Sequence, residues 1–253
     1  MIDIEKAKKE FDRYVNNYDM SQYRIESKYK HSYRVMEICG EIATRLGLSE
    51  EEIELAKLIG LLHDIGRFDQ WAQYGSYNDF KSFSHGEKGA EILKDNDYIR
   101  WYIEDDSYDD IILYAVRKHG IFVIDDEVAD EKSLLFLKIV RDADKIDIFY
   151  EANEIFWPNE SDVEAINNSY VSKDYYLQIM KCKPVKSKEN ESALDPIVRF
   201  LGFIFDFNFK ASKDIVIEND YLNKLYGRFK FKMDNTKMQM GNIKDLCDRE
   251  IRK

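Results

Sequence analysis

Proline is scarce in this sequence, three residues in 253, and glycine numbers only eleven. Both residues interrupt helices and shape tight turns, so their scarcity disfavours many short strands and favours long helices. Cysteine is nearly absent as well. Cys39, Cys182 and Cys247 are odd in number, far apart and form no C-x-x-C pair. That excludes a disulfide framework and a zinc ribbon. Positive charge is the minority sign: 38 Lys and Arg stand against 49 Asp and Glu, a formal charge of −11. Such a balance argues against binding long nucleic acid, where affinity comes largely from cationic contacts to phosphate. A small phosphorylated ligand stays open, because a metal and a few local cations reverse the sign inside one cleft. Long apolar runs are missing too. The greasiest stretch, Phe200 to Phe209, is broken by Asp206 and Asn208 and is too short to span a bilayer. Met1 to Lys6 carries no apolar signal core. A soluble, cytoplasmic protein with no membrane partner is expected, and its oligomeric state is left open.

What is present is helical periodicity. Residues 5–18 place Phe11, Tyr14, Val15 and Tyr18 on one side of a short charged helix. A second helix is expected from about Ser27 to Leu46, with Val35, Ile38, Ile42 and Leu46 at helical spacing and Gly47 as its stop. Ser49 and Glu52 form a capping box for a third. Its residues Leu55, Leu58, Ile59, Leu61 and Leu62 cover most of the circumference, which reads as a buried helix. That helix runs into His63-Asp64-Ile65-Gly66-Arg67, with Gly66 helping to end it. Residues 67–83 lack periodicity and are expected as a long ordered loop. Ser84 and Glu87 suggest another capping box, putting His85 in a first helical turn, and Gly89 permits a close backbone approach. Tyr108 to His119 and about Asp130 to Asn153 read as further helices, the second carrying Arg141-Asp142-Ala143-Asp144-Lys145. Residues 160–192 are polar, with 181–191 a charged exposed connection, and helices follow at 193–209, 213–228 and 235–252. One all-α domain over 1–253 is expected, with a core at about 20–155 and a helical extension at about 156–253.

A carboxylate at the end of a buried helix needs a cationic neighbour. For His63-Asp64, a shared metal ion satisfies both side chains, and so does a core histidine bonded to an aspartate. The dipeptide does not choose between them. The other histidines bear on the choice: the chain has only His31, His63, His85 and His119, each on or at the end of a different expected helix, and none follows His119. Imidazole is the commonest metal ligand, and facing helices are an established way to build such a site.

The ordered set His31-Ser32-Tyr33-Arg34-Val35, Leu61-Leu62-His63-Asp64-Ile65-Gly66 and Asp142-Ala143-Asp144-Lys145 resembles the HD-domain superfamily of metal-dependent phosphohydrolases. The resemblance implies an HD-domain helical bundle in which His31, His63, Asp64 and Asp144 bind metal. Periodicity does not separate Asp142 from Asp144, which lie about 200° apart around a helix and each share a stripe with apolar residues. Resemblance favours Asp144, since the family's last ligand stands in Ala-Asp-Lys-apolar. His85 and His119 fall where a binuclear subset has two further ligands, and Asp64 would then bridge the ions as the catalytic carboxylate. The pattern is similar to di-iron diadenosine-tetraphosphate hydrolases and to the metal core of cyclic-di-GMP phosphodiesterases. It departs from the latter in lacking Gly-Tyr-Pro and in having Gly120 after His119.

The mixed nitrogen and oxygen set suits two divalent ions of Fe, Mn, Ni or Co, with Zn or Mg as further options. Arg34, Arg67, Lys88 and Lys145 each lie within a turn of an implied ligand. They read either as phosphate contacts or as ordinary surface and salt-bridging charges. The resemblance implies hydrolysis of a nucleotide or similar small phosphorylated substrate. A metal-containing nucleotide sensor without turnover and a di-iron oxygenase are the competing readings.

Overall fold

The computed structural model describes residues 2–124 and 130–253, and contains no strand among them. The chain divides into two compact units, Met1–Asp144 and Lys145–Lys253. The first contains α1 (Ile4–Val15), α2 (Tyr23–Arg45), α3 (Glu50–Leu62), α4 (Gly66–Tyr74), α5 (His85–Lys94) and α6 (Asp109–Lys118). It also takes in the start of α7 (Glu131–Glu154), and short 3-10 segments lie at Asp79–Lys81 and Asp95–Trp101.

The buried helix anticipated from the apolar run is α3. Leu55, Leu58, Ile59, Leu61 and Leu62 are all fully buried, each contributing about 1.5–3 kcal/mol relative to exposure. Ser49 and Glu52 close the capping box at its start, satisfying backbone donors that have no partner within the helix. α2 packs along α3, burying Val35, Met36, Cys39 and Ile42, and begins four residues before its expected start. α1 rests on α3, and its Phe11 meets Phe68 of α4 edge-on at 5.9 Å.

Two expectations here are corrected. Residues 67–83 are not a long loop, because α4 occupies the first half and a 3-10 turn at Asp79–Lys81 much of the rest. Nor does Gly66 stop the third helix, which ends at Leu62. Gly66 opens α4 instead, where a Cβ would stand 2.3 Å from the His85 carbonyl oxygen and 2.8 Å from the Gly89 nitrogen. Only glycine lets α4 cross α5 that closely. The second capping box is half formed. Ser84 accepts from the Glu87 backbone, while the Glu87 carboxylate pairs with Arg117 at 2.9 Å.

The second unit holds the rest of α7, then α8 (Glu160–Asn167), α9 (Lys173–Ile179), α10 (Asp195–Leu201), α11 (Lys210–Glu218), α12 (Tyr221–Gly227) and α13 (Asp234–Glu250). Two short helices therefore occupy the stretch at 160–192 read as polar. The single helix expected at 213–228 is two, broken where Asp220 adopts a left-handed φ of 55°. That conformation ends an L-residue helix. α10 packs on α9 and α13. No helix among the described residues is long and apolar enough to cross a membrane.

Candidate metal centre

Five elements of the first unit bring six side chains together. His31 lies within α2, His63 is the residue that caps α3, and Asp64 follows it. His85 is the first residue of α5, His119 caps α6, and Asp144 is on α7. All four histidines and Asp64 are buried. The chain around His119 is held from α7, where Arg141 donates to the His119 carbonyl at 2.8 Å. Gly120 leaves room for its neighbour, since a Cβ there would stand 2.9 Å from the His85 ring.

The imidazoles form two facing pairs. His31 Nε2 is 3.2 Å from His63 Nε2, and His85 Nε2 is 3.0 Å from His119 Nε2. Asp64 lies between the pairs, one oxygen toward each. Its Oδ2 is 3.6 Å from Nε2 of both His31 and His63, and its Oδ1 is 3.5 Å from His85 Nε2 and 3.4 Å from His119 Nε2. Asp144 Oδ1 completes the first group at 3.2 Å from His31 Nε2 and 4.0 Å from His63 Nε2.

The outer ring nitrogens determine what the inner ones can do. His63 Nδ1 donates to the Gly60 carbonyl at 2.7 Å, and His119 Nδ1 to the Val116 carbonyl at 2.8 Å. His85 Nδ1 meets Asp79 Oδ2 at 2.6 Å. Carbonyls and carboxylates only accept, so in all three rings the proton sits on Nδ1. Burial pushes His63 down to about 3 and His85 to about 4. Both rings are therefore neutral at pH 7, with a bare lone pair at Nε2. The two Nε2 atoms of the His85–His119 pair lie 3.0 Å apart. Two imidazole nitrogens on one ion, ~2.1 Å from it and ~90° apart, would lie ~3 Å from each other. The donor set and its spacing fit a divalent metal, with Asp64 common to the His31–His63 and His85–His119 groups and Asp79 setting the His85 tautomer from outside.

Asp64 stays ionised. Burial alone would raise its carboxyl, but Lys28, followed by His63, His119 and Arg67, holds it well below the usual carboxylate range. Lys28 Nζ is 2.8 Å from Oδ2, and Arg67 Nε is 3.5 Å from Oδ1. Arg67 is itself fixed by Gln70 and the Tyr77 carbonyl, both at 2.7 Å, and by Asp79 at 2.8 Å. Asp79 lies within the segment expected as loop; burial alone would raise its carboxyl, but the His85 ring, followed by Arg67 and Gln70, holds it below the usual carboxylate range.

Of the cations singled out from sequence, Arg67 reaches the cluster. Arg34 sits one turn beyond His31 on α2 and is half-buried. Lys88 Nζ lies 3.8 Å from both Asp69 and Glu91. Lys145 Nζ pairs with Asp206 at 2.9 Å within the second unit. Sequence reasoning missed Lys28 and Asp79. Lys28 had a signal, being three residues before His31 and so on the same helix face. Asp79 had none, because the 3-10 turn presenting it shows no periodicity.

Comparison with known proteins finds related sequences. The chain is 31% identical over 182 residues to Ribonuclease Y of Mycoplasma mycoides, covering 65% of this chain and 36% of the relative. Ribonuclease Y of Mycoplasma capricolum is 30% identical over 182 residues, with 65% of this chain and 30% of the relative covered. The chain thus spans about a third of the length of the curated relatives it matches. No solved structure matches it. The family whose description fits is the HD domain, over residues 29–148, a span that takes in all six side chains of the cluster. Residues 29–148 are an HD domain.

Proposed function

We propose that this protein is a metal-dependent phosphohydrolase that holds two divalent ions and cleaves a phosphoester or phosphoanhydride bond in a nucleotide or similar small substrate. One observation carries the reading: four imidazole Nε2 atoms converge in two pairs on the two oxygens of one buried carboxylate. His31, His63 and Asp144 would hold one ion, His85 and His119 the other, and Asp64 both. Bound divalent ions lower the pKa of a coordinated water and offset charge on phosphoryl oxygens. The chain's own contribution is to point the ligands. Gly60, Val116 and Asp79 keep the ring protons on Nδ1, while Arg67 steadies Asp64 and lies where a phosphate oxygen would meet it. Arg34, Lys88 and Lys145 are proposed as outer contacts to substrate.

The name of the relatives supports a phosphodiester as the bond cleaved. The charge of −11 supports a short substrate over long nucleic acid. A cytoplasmic location belongs to the same reading. Elemental analysis of the purified protein, with a panel of mono-, di- and cyclic nucleotides and short RNA, tests it. Two equivalents of metal are expected, falling toward one in His85→Ala, with turnover lost in Asp64→Ala. Full turnover in Asp64→Ala would overturn the reading. Nucleotide binding without turnover would mark a sensor, and oxygen consumption with redox-active iron an oxygenase.

A further inference from the structure

We propose that Lys28 is the phosphate-binding cation of this site, held on Asp64 until the carboxylate is ligated. The proposal rests on the reading of the cluster as a metal centre for phosphoryl chemistry. Lys28 Nζ bonds Asp64 Oδ2 at 2.8 Å, and the same oxygen faces His31 and His63 Nε2 at 3.6 Å each. This ammonium is the closest positive charge to a buried carboxylate. With Oδ2 ligating a dication, ammonium and metal would share one oxygen in a site of low dielectric, where like charges repel strongly. Lys28 is the member of that pair that can move.

Its side chain is 20% exposed, on a flexible four-carbon stem. Its path is already lined: Nζ lies 5.8 Å from the Tyr77 ring centroid, and the Arg67 guanidinium lies 5.8 Å from the same ring. An aromatic face favours a cation through its quadrupole, so the ring offers Lys28 a place to rest as it leaves Oδ2. Lys28 and Arg67 thus both face Asp64, Lys28 at Oδ2 and Arg67 at Oδ1. A displaced ammonium beside Arg67 creates two adjacent positive charges that a phosphoryl group, with its several anionic oxygens, would neutralise together. The ligand class is therefore a phosphate ester or inorganic phosphate, bound after metal.

Lys28→Met separates this role from simple support of Asp64, because the two readouts move in opposite directions. Titrated with Mn2+, the variant should bind metal more tightly than wild type, having lost the competing ammonium. In its metal-loaded form it should bind inorganic phosphate and pyrophosphate about tenfold or more weakly by calorimetry, the scale of one lost charge-assisted hydrogen bond. Lys28→Arg should recover most of the phosphate affinity. Weaker metal binding in Lys28→Met, or unchanged phosphate affinity, overturns the proposal. Lys28→Gln, which keeps a polar head without charge, gives the same two readouts if the methionine variant does not fold. Wild-type protein that binds no metal would remove the hydrolase reading and this one together. Wild type that binds metal, beside a variant with unaltered phosphate affinity, removes this one alone.

Discussion

Asp79 lies outside the six-residue cluster, yet its carboxylate determines which nitrogen of the His85 ring can serve as a ligand. Held 2.6 Å from His85 Nδ1, it keeps the proton away from the side that faces His119. Asp79→Ala should therefore weaken metal binding at the His85–His119 pair by about 10–100-fold, the usual cost of losing an outer-shell partner. Binding at the His31–His63 pair should persist, so a two-phase metal titration should keep one phase and lose the other. Uniform loss of both phases would show that Asp79 supports the fold and not one subsite. The two aspartates of α7 offer a second contrast. Asp144 Oδ1 lies 3.2 Å from His31 Nε2, and Asp142 is fully buried. Asp144→Asn should lower bound metal, while Asp142→Asn should retain it even if its stability falls. The reverse pattern in elemental analysis would mean that α7 presents the other face.

At the scale of elements, α3 presents part of the site and α4 braces it, and substitutions in them should separate stability from metal binding. Ser49 caps α3 at the end away from His63. Ser49→Ala should cost about 1 kcal/mol in urea unfolding and leave metal stoichiometry unchanged. Gly66 lies where α4 meets the start of α5, with the His85 carbonyl oxygen 2.3 Å from where a Cβ would be. Gly66→Ala must push those backbones apart, at about 1–3 kcal/mol, and should also weaken metal binding at the His85–His119 pair. A glycine variant that loses stability with full metal affinity would show that the helix contact and the site are uncoupled.

For the molecule as a whole, the six side chains come from five elements, all within the Met1–Asp144 unit. Binding there is linked to folding of that unit, because the unfolded chain has no such cluster. Metal at a hundredfold excess over its dissociation constant should stabilise by about 2.7 kcal/mol per site, and a chelator should remove that gain. Thermal unfolding of the wild type should rise with added Mn2+ and fall with chelator. Asp64→Ala, which takes an oxygen from both positions, should show little response. A chelator-sensitive Tm in Asp64→Ala equal to that of wild type would place the stabilising ion elsewhere.

Local pattern sufficed for much of this. The apolar circumference of α3, its Ser49–Glu52 cap and the stripes of α1, α2 and α6 were legible because each reports which face of one helix meets a core. The confinement of four histidines to four helices pointed to a metal centre, and the ordered motifs pointed to the HD domain. Other features depended on contacts distant in the chain. α4 was hidden because nine residues with only Gly66, Phe68 and Gln70 turned inward show too few turns for periodicity to register. The break at Asp220 rests on one backbone conformation, and neither its composition nor its stripe announces it. Asp142 and Asp144 both lie among apolar neighbours on α7, so only the tertiary arrangement, which sets Asp144 beside His31, distinguishes one carboxylate. Lys28 and Asp79 acquired their roles the same way, when folding set them beside Asp64 and His85. Sequence periodicity encodes burial, one helix at a time. Which polar groups meet inside is decided by how the helices pack, and that is where the chemistry of the site was set.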